Sequence, residues 1–236
     1  MRRILLLAGT GEARAIAAAL SGDPDFEVIA SLAGATGRPG DLGVETRTGG
    51  FGGAAGLADF VRARDIDRIV DATHPFAAQM KRHAAAQTVP VLHVIRSAWA
   101  PVGGDQWIGC ASLAEAAAAL PSDAQAFLAL GQRHLTPFRA HPADMWVRSV
   151  DAPEDRGPFR WITGSPGDLA HETELLKRHA ITHLVCRNSG GSAGYAKLEA
   201  ARRLGLPVLM IGRPEPPKGA IVATIDEAVV WCNVHR

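Results

Sequence analysis

Short apolar runs alternate with longer amphipathic or alanine-rich segments along most of the chain. The apolar run at 4–8 is followed by a helical pattern at 13–20. Apolar runs predict further strands at 26–32, 44–48, 68–72, 91–95, 107–110, 145–150 and 184–187. Helical patterns at 57–64, 76–87, 112–120, 168–179 and 191–204 separate many of them. Strands that alternate with helices are typical of an α/β fold with mainly parallel sheets.

The turn between the first predicted strand and the first helix reads Gly9-Thr10-Gly11-Glu12-Ala13-Arg14. In a mononucleotide-binding fold, the first glycine permits the tight turn and the second lets the backbone approach a pyrophosphate at the helix N-terminus. Arg14 replaces the third glycine of the dinucleotide fingerprint, and its side chain is long enough to reach an anionic group above the turn. An ordinary tight turn of an α/β protein is the alternative.

The end of the second predicted strand favours NADPH over NADH. An acidic residue at this place usually binds the ribose hydroxyls of NAD. Here the strand ends in Ala30, Ser31 and Leu32, and Arg38 follows a few residues later. A missing acid and a nearby arginine favour a nucleotide that carries a 2′-phosphate, although an arginine that only solvates a loop is an equal alternative.

Other candidate residues lie in the loops that follow predicted strands. Thr73 and His74 follow the strand at 68–72, and open α/β sheets bind ligands at the carboxyl ends of their strands. The glycine-rich segment 34–56, which includes Gly50, offers a backbone that can lie flat against a ligand. A structural histidine and a flexible loop are the respective alternatives.

The second half of the chain repeats four landmarks of the first half in the same order. Gly131 corresponds to Gly9, Asn188 to Thr73, Pro207 to Pro90, and the capping box at Thr224 to the one at Ser112. Ordered internal similarity indicates two related halves. We therefore predict two Rossmann-like domains, 1–121 for the cofactor and 122–236 for the substrate, with the active site in the cleft between them.

Composition and charge exclude several classes of protein. Of 236 residues, 47% are hydrophobic and 21% charged, and the net charge of +1 argues against a dedicated nucleic-acid binder. The apolar start ends at Gly9, too early for a secretion signal, and no apolar run approaches the roughly 20 residues of a membrane span. Three cysteines without a CxxC pair suit a reducing compartment. We expect a cytoplasmic protein that binds neither nucleic acid nor a membrane.

Basic residues recur where predicted strands end or helices begin, which favours a polyanionic ligand. The turn Asn188-Ser189-Gly190-Gly191 adds backbone donors for an anionic substrate. Ordinary surface charges are the alternative for each member of the set. The set comprises Arg14, His74, Arg96, Arg133, His134, Arg187 and Lys197.

A serine hydrolase is the rival enzyme class. The segment 190–194 matches the G-x-S-x-G elbow around Ser192, and Asp226 and His235 follow in the hydrolase order. Asp226, however, lies in a capping box, and His235 is the penultimate residue, so neither is easily brought to Ser192. The chain has no HExxH motif and no GxxxxGK[ST] loop, so we expect no metal and no kinase chemistry.

Four motifs are spaced along nearly the whole chain. They are the segments 9–14, 47–53 and 71–77, and Asn188-Ser189-Gly190-Gly191 with Lys197. Together they resemble the precorrin-6A reductase family of cobalamin biosynthesis. Many members of that family begin the first motif with two glycines, whereas here Ala8 precedes Gly9.

The resemblance implies an NADPH-dependent reduction of one double bond of the precorrin-6A macrocycle, and two Rossmann-like domains with the active site between them. The many carboxylates of such a substrate explain a basic cleft in a near-neutral protein. Other enzymes of the pathway are candidate partners. The alternatives are a cobalt-containing substrate, another NADPH-dependent reductase on this scaffold, and a nucleotide sensor without turnover.

The expected site residues follow from these two lines of reasoning. Lys197 and Arg14 are the catalytic candidates, with Lys197 the better proton donor and water the alternative. The expected cofactor-binding residues are Gly9, Thr10, Gly11, Glu12, Arg14, Arg38, Gly50, Thr73 and His74. The expected substrate-binding residues are Arg14, His74, Arg96, Arg133, Asn188, Ser189, Gly190, Gly191 and Lys197.

Overall fold

Two parallel β-sheets with helices on their faces make up the part of the chain that the computed structural model describes, residues 1–34, 40–153 and 155–234. The chain divides into two units. The first contains residues 1–97 and the C-terminal segment that begins at Pro214, and the second contains Ala98–Arg213. None of the helices in the described ranges is long and apolar enough to cross a membrane.

The first unit is a six-stranded sheet in which every neighbouring pair is parallel. The strand order is β3-β2-β1-β4-β5-β12, so the direction of winding reverses between β1 and β4. Its elements are β1 (Arg2–Leu7), α1 (Gly11–Leu20), β2 (Phe26–Leu32), β3 (Glu45–Thr48), α2 (Ala54–Ala63), β4 (Arg68–Asp71), α3 (Ala78–Ala85), β5 (Val91–Val94), β12 (Ala220–Val222) and α7 (Ile225–Val234).

The second unit is also a parallel six-stranded sheet, in the order β9-β8-β7-β10-β11-β6. Two single 3₁₀ turns, Gln132–His134 and Thr136–Phe138, follow β7 where the first unit has α1. Its elements are β6 (Gln106–Cys110), α4 (Leu113–Ala119), β7 (Gln125–Ala129), β8 (Asp144–Ser149), β9 (Arg160–Thr163), α5 (Leu169–Arg178), β10 (His183–Arg187), α6 (Ala196–Arg203) and β11 (Pro207–Ile211).

The internal similarity of the two halves is confirmed, since the sheets have the same strand order and each pair of landmarks occupies equivalent places. The units nevertheless begin and end elsewhere than predicted at 1–121 and 122–236. The edge strand β6 and helix α4 come from the first half but belong to the second unit, and β12 and α7 make the reverse exchange. Each half thus supplies an edge strand to the sheet of the other half, because β6 pairs with β11 and β12 pairs with β5.

Strand β1 shows why both sheet faces are covered. Side chains alternate across a strand, so Ile4 and Leu6 face one side while Leu5 and Leu7 face the other. The first pair packs with α1 and α7, the second with α2 and α3. A strand buried on both faces reads as a continuous apolar run, the expected mark of a parallel sheet.

Most predicted elements lie where the pattern placed them, and the repeat of Gly131 and Pro207 marks β7 and β11. Two short strands were missed and one helix start was wrong. The missed strands, β9 and β12, have only four and three residues. Helix α6 begins at Ala196 rather than at 191. Gly190, Gly191 and Gly194 have φ of 67°, 71° and 74°, a left-handed backbone that excludes this loop from the helix.

Candidate active site

The glycine turn lies at the carboxyl end of β1, beside the end of β4, where the sheet order reverses. Gly9 has φ of 130°, a conformation that favours glycine. The Thr10 hydroxyl caps α1 by accepting a bond of 3.2 Å from the Ala13 N–H. The same hydroxyl donates to the Ala72 carbonyl at 2.7 Å. Thr10 therefore ties the two strand ends together at the crevice where such sheets bind ligands.

Gly11 fits a backbone that a pyrophosphate approaches. It is the first residue of α1, and a Cβ built on it would have no heavy atom within 4 Å among the described residues other than its chain neighbours. Protein packing gives no reason for a glycine here. The N–H groups of the first helical turn point in the same direction, and the positive end of the helix dipole favours an anion.

Gly11→Ala is expected to leave the fold intact and to weaken NADPH binding about 10- to 100-fold, because the methyl group would separate the phosphate from charge-assisted N–H donors. The melting temperature should stay unchanged or rise, since alanine has the better helix propensity. Gly22→Ala is the matched control, because its Cβ would also meet open space in the described structure. Equal NADPH affinity for both variants would contradict the assignment. Isothermal titration and thermal melts measure the two quantities.

Glu12 and Arg96, predicted to contact cofactor and substrate respectively, form an ion pair with each other. The Arg96 guanidinium donates to the Glu12 carboxylate at 2.8 Å, and both side chains are at least three-quarters buried. A substrate carboxylate at Arg96 therefore has to compete with Glu12. The pair also neutralises a negative charge that would otherwise stand beside the helix N-terminus.

Arg14 lies against the loop that follows the second strand. Its Nη1 donates to the Asp41 carbonyl at 2.8 Å. A Cβ on Gly40 would approach the Arg14 Nη2 to 2.9 Å, so a larger residue there would require this flexible guanidinium to shift. The arginine is exposed, and its predicted roles stay predictions. Arg38 lies outside the described residues.

A buried polar cluster supports the loop that carries Thr73 and His74. Asp71, at the end of β4, is fully buried and accepts hydrogen bonds from the Thr73 N–H at 3.0 Å and hydroxyl at 2.6 Å. The Lys81 ammonium lies 3.1 Å from its other oxygen, and His93 Nδ1 lies 2.7 Å from that oxygen. The cluster holds Thr73 at the ligand edge of the sheet. Sequence reasoning missed all three of its supporting members.

Opposing effects set the pKa of Asp71. Burial raises that pKa, but the hydrogen bond with His93, the positive charge of Lys81 and the bonds from Thr73 together hold it below its ordinary value. Asp71 is therefore ionised and compensates the buried Lys81. His74 lies just beyond this cluster, where its Nδ1 accepts a bond of 3.3 Å from the Phe76 N–H.

The equivalent edge of the second unit carries the turn that follows β10. The Asn188 side chain accepts from the Trp99 N–H at 2.8 Å and donates to the Trp99 carbonyl at 2.9 Å. The Asn188 side-chain amide thus holds the Trp99 backbone in place. Gly190 and Gly191 present their N–H groups without an acceptor among the described residues. The backbone of this turn, next to Ser189, thus offers N–H donors of the kind that bind an anion.

Lys197 is held at the same edge by an aromatic ring. It is the second residue of α6, and its ammonium donates to the Gly194 carbonyl at 2.5 Å. The ammonium also lies 4.8 Å from the centre of the Trp99 ring, a cation–π contact. Trp99 in turn donates from Nε1 to the Gly191 carbonyl at 2.6 Å. One tryptophan, which sequence reasoning missed, thus positions both the glycine turn and Lys197.

Arg133 and His134 follow β7 at this edge as predicted. Arg187 Nη1 donates to His134 Nε2 at 3.0 Å, so the histidine ring is neutral there. Burial and then the charges of Arg187 and Arg133 lower the pKa of His134. Arg133 is exposed and makes no ion pair with any carboxylate of the described chain. The edge is basic, as the sequence indicated.

The hydrolase reading lacks the required geometry. Helix α6 begins four residues after Ser192, so the sharp strand–turn–helix elbow is absent from this part of the described chain. Asp226 belongs to the other unit and follows Thr224, which caps the helix. His235 lies outside the described residues. Those residues also contain no cluster of three or more His, Cys, Asp or Glu that would suit a metal.

The strand order and the glycine turn at its point of reversal place the chain in the Rossmann class of α/β proteins. The chain belongs to the precorrin-6x reductase CbiJ/CobK family, whose model matches residues 3–233. This confirms both the predicted fold class and the family resemblance.

Several relatives match over nearly their whole length. The precorrin-6A reductase of Rhodococcus erythropolis is 45% identical over 242 residues, 98% of this chain and 97% of the relative. That of Rhodobacter capsulatus is 43% identical over 245 residues, 100% of this chain and 97% of the relative. A solved structure of a CobK precorrin-6A reductase matches with a TM-score of 0.93 at 43% identity, covering 100% of this chain and 97% of that one.

Proposed function

We propose that the chain reduces one double bond of precorrin-6A to give precorrin-6B, with NADPH as the reductant. The full-length match to precorrin-6A reductases carries the choice of substrate. Cobalt-precorrin-6A reductases also match, but that of Priestia megaterium is only 29% identical. The difference in identity favours the metal-free substrate.

The cofactor would lie on the first unit. Gly9, Thr10 and Gly11 would hold the pyrophosphate through the start of α1, with Glu12 neutralised by Arg96. Thr73 and His74 stand at the neighbouring strand end, where the buried Asp71 fixes the loop. When bound, NADPH supplies a hydride. Arg14 on α1, Gly50 after β3, and Arg38 are further proposed contacts.

The substrate carboxylates would lie on the second unit's basic edge. Arg133 and the N–H groups of Gly190 and Gly191 supply charge and oriented donors, and Ser189 lies beside them. Asn188 acts by holding Trp99. Lys197 would deliver the proton that balances hydride addition to the conjugated macrocycle, with Arg14 stabilising charge. An active site in the cleft between the units remains our prediction.

A reducing, cytoplasmic location accords with the cysteines. Cys110, Cys186 and Cys232 are all free and buried. Burial raises the pKa of Cys186 to about 11, so its thiolate is scarce at neutral pH. Other enzymes of the cobalamin pathway are the partners we propose.

Fluorescence titration of the purified chain with NADPH tests the cofactor assignment. Saturable enhancement is expected, with competition by NADP⁺ but no labelling of Ser192 by a fluorophosphonate probe. Labelling of Ser192 without nucleotide binding would favour the hydrolase instead. Nucleotide binding without turnover of any tetrapyrrole would identify a sensor.

A further inference from the structure

Arg47 lies at the ligand edge of the first sheet, beside the end of β2. It is the third residue of β3 and pairs in register with Ser31. Its Nη1 donates to the buried Ser31 hydroxyl at 2.7 Å and to the Gly49 carbonyl at 3.0 Å. Nη2 donates to the Gly50 carbonyl at 3.1 Å. The guanidinium thus holds the loop that follows β3.

Every one of these acceptors is neutral, so the Arg47 charge is uncompensated within the described chain. No carboxylate there forms an ion pair with it. Burial also lowers the pKa of Arg47. The neighbouring Arg64 differs, because both oxygens of Glu45 lie within 2.8 Å of its Nη2. A partly desolvated cation without a counter-charge is costly, and an anionic ligand would remove that cost.

The geometry of the guanidinium suits a phosphate. Arginine has five N–H donors, and three of the Arg47 donors are used in the bonds above. Two donors therefore remain, which is the number that a bidentate phosphate contact needs. The Phe51 ring lies 4.1 Å and the Phe60 ring 5.2 Å from the guanidinium carbon, and these rings restrict its orientation.

The position of Arg47 in the sheet indicates which phosphate of the dinucleotide it would bind. In the Rossmann class, the end of the second strand reads the adenosine ribose, with an acid for the 2′-hydroxyl or an arginine for the 2′-phosphate. Here that strand ends in Ser31 and Leu32, without an acid. We propose that Arg47, held by Ser31, binds the 2′-phosphate of NADPH and sets the preference over NADH. This inference rests on the proposed function, and it moves the specificity contact from Arg38 to Arg47.

Calorimetric binding of NADPH, NADH, adenosine 2′,5′-bisphosphate and 5′-AMP tests the assignment without any turnover. Arg47→Leu should lower the affinity for the two 2′-phosphorylated ligands about 10- to 100-fold and leave the other two within about twofold. Arg64→Leu is the matched control and should change none of the four. Ser31→Asp should shift the preference toward NADH, because its carboxylate would neutralise Arg47 and repel the phosphate.

Equal loss of all four ligands in Arg47→Leu would show that Arg47 only holds the loop, and would overturn the proposal. An unchanged ratio of NADPH affinity to NADH affinity in Arg47→Leu would also overturn the proposal. The same holds if Arg38→Leu alone abolishes the preference for NADPH. Failure of the unaltered chain to bind either dinucleotide would overturn the proposed function as well. If the unaltered chain binds NADPH and Arg47→Leu keeps the same ratio of NADPH affinity to NADH affinity, only the Arg47 assignment is overturned.

Discussion

Lys197→Met is expected to lower the turnover of precorrin-6A about 100- to 10,000-fold, the range associated with a lost general acid. The affinity for NADPH should stay within about twofold, because Lys197 lies on the second unit and the proposed cofactor site on the first. Methionine preserves most of the packing of the side chain on Trp99. Single-turnover kinetics give the reduction rate, and calorimetry gives the affinity.

Two further variants separate proton donation from charge. Lys197→Arg keeps the charge but is a poor proton donor, since the guanidinium stays protonated in proteins. It should stay as slow as Lys197→Met if Lys197 donates the proton, and regain most of the rate if charge alone matters. Lys177→Met, at an exposed position of α5, is the control and should retain full activity. Full activity of Lys197→Met would remove Lys197 from the mechanism.

Asp71→Asn is expected to cost about 3–5 kcal/mol of unfolding free energy, because it leaves the buried Lys81 ammonium without its counter-charge. Urea denaturation followed by circular dichroism measures this. Asp59→Asn is the control, since Asp59 forms an exposed pair with Arg62 that contributes within about 1 kcal/mol. The double variant Asp71→Asn/Lys81→Met should recover part of the loss. A loss for Asp71→Asn no larger than that of the control would contradict this account.

The same carboxylate gives a pH dependence of defined sign. The folded-state pKa of Asp71 lies below its ordinary value of 3.8, so folding favours the ionised form. Its contribution is complete above that ordinary value and is lost as pH falls through the folded-state pKa. The unaltered chain should therefore lose stability more steeply than Asp71→Asn on acidification below about pH 4.

The local pattern of apolar and polar residues was sufficient to predict most of the helices and strands. Strand β2 was predicted with its observed bounds because Phe26, Val28, Ala30 and Leu32 form an apolar face and Ile29 is buried on the other face. The capping boxes at Ser112 and Thr224 mark helices as expected. Strands β9 and β12 lie at or near sheet edges and are too short for a periodic signal. The exchange of β6 and β12 between units depends on pairing across the chain, which repeat order alone does not reveal.

The positions of several candidate residues at strand ends could be predicted, but their contacts could not. Gly9, Thr73 and Arg133 follow the carboxyl ends of strands, as the fold class predicts, whereas Lys197 lies on α6. The hydrogen-bond partners of the site residues do not follow from the fold class, because they are remote in sequence. Asn188 holds Trp99 across 89 residues, and Asp71 meets His93 across 22. The sequence also does not reveal that Arg14 donates to the Asp41 carbonyl, 27 residues away.

Anaerobic incubation of the purified chain with precorrin-6A and NADPH deuterated at the transferring carbon of the nicotinamide tests the central claim most directly. The proposed reduction predicts stoichiometric oxidation of NADPH and a product heavier by one deuteride and one proton, as measured by mass spectrometry. A precorrin-6A spectrum and mass that stay unchanged, while NADPH binds to the chain, would contradict it.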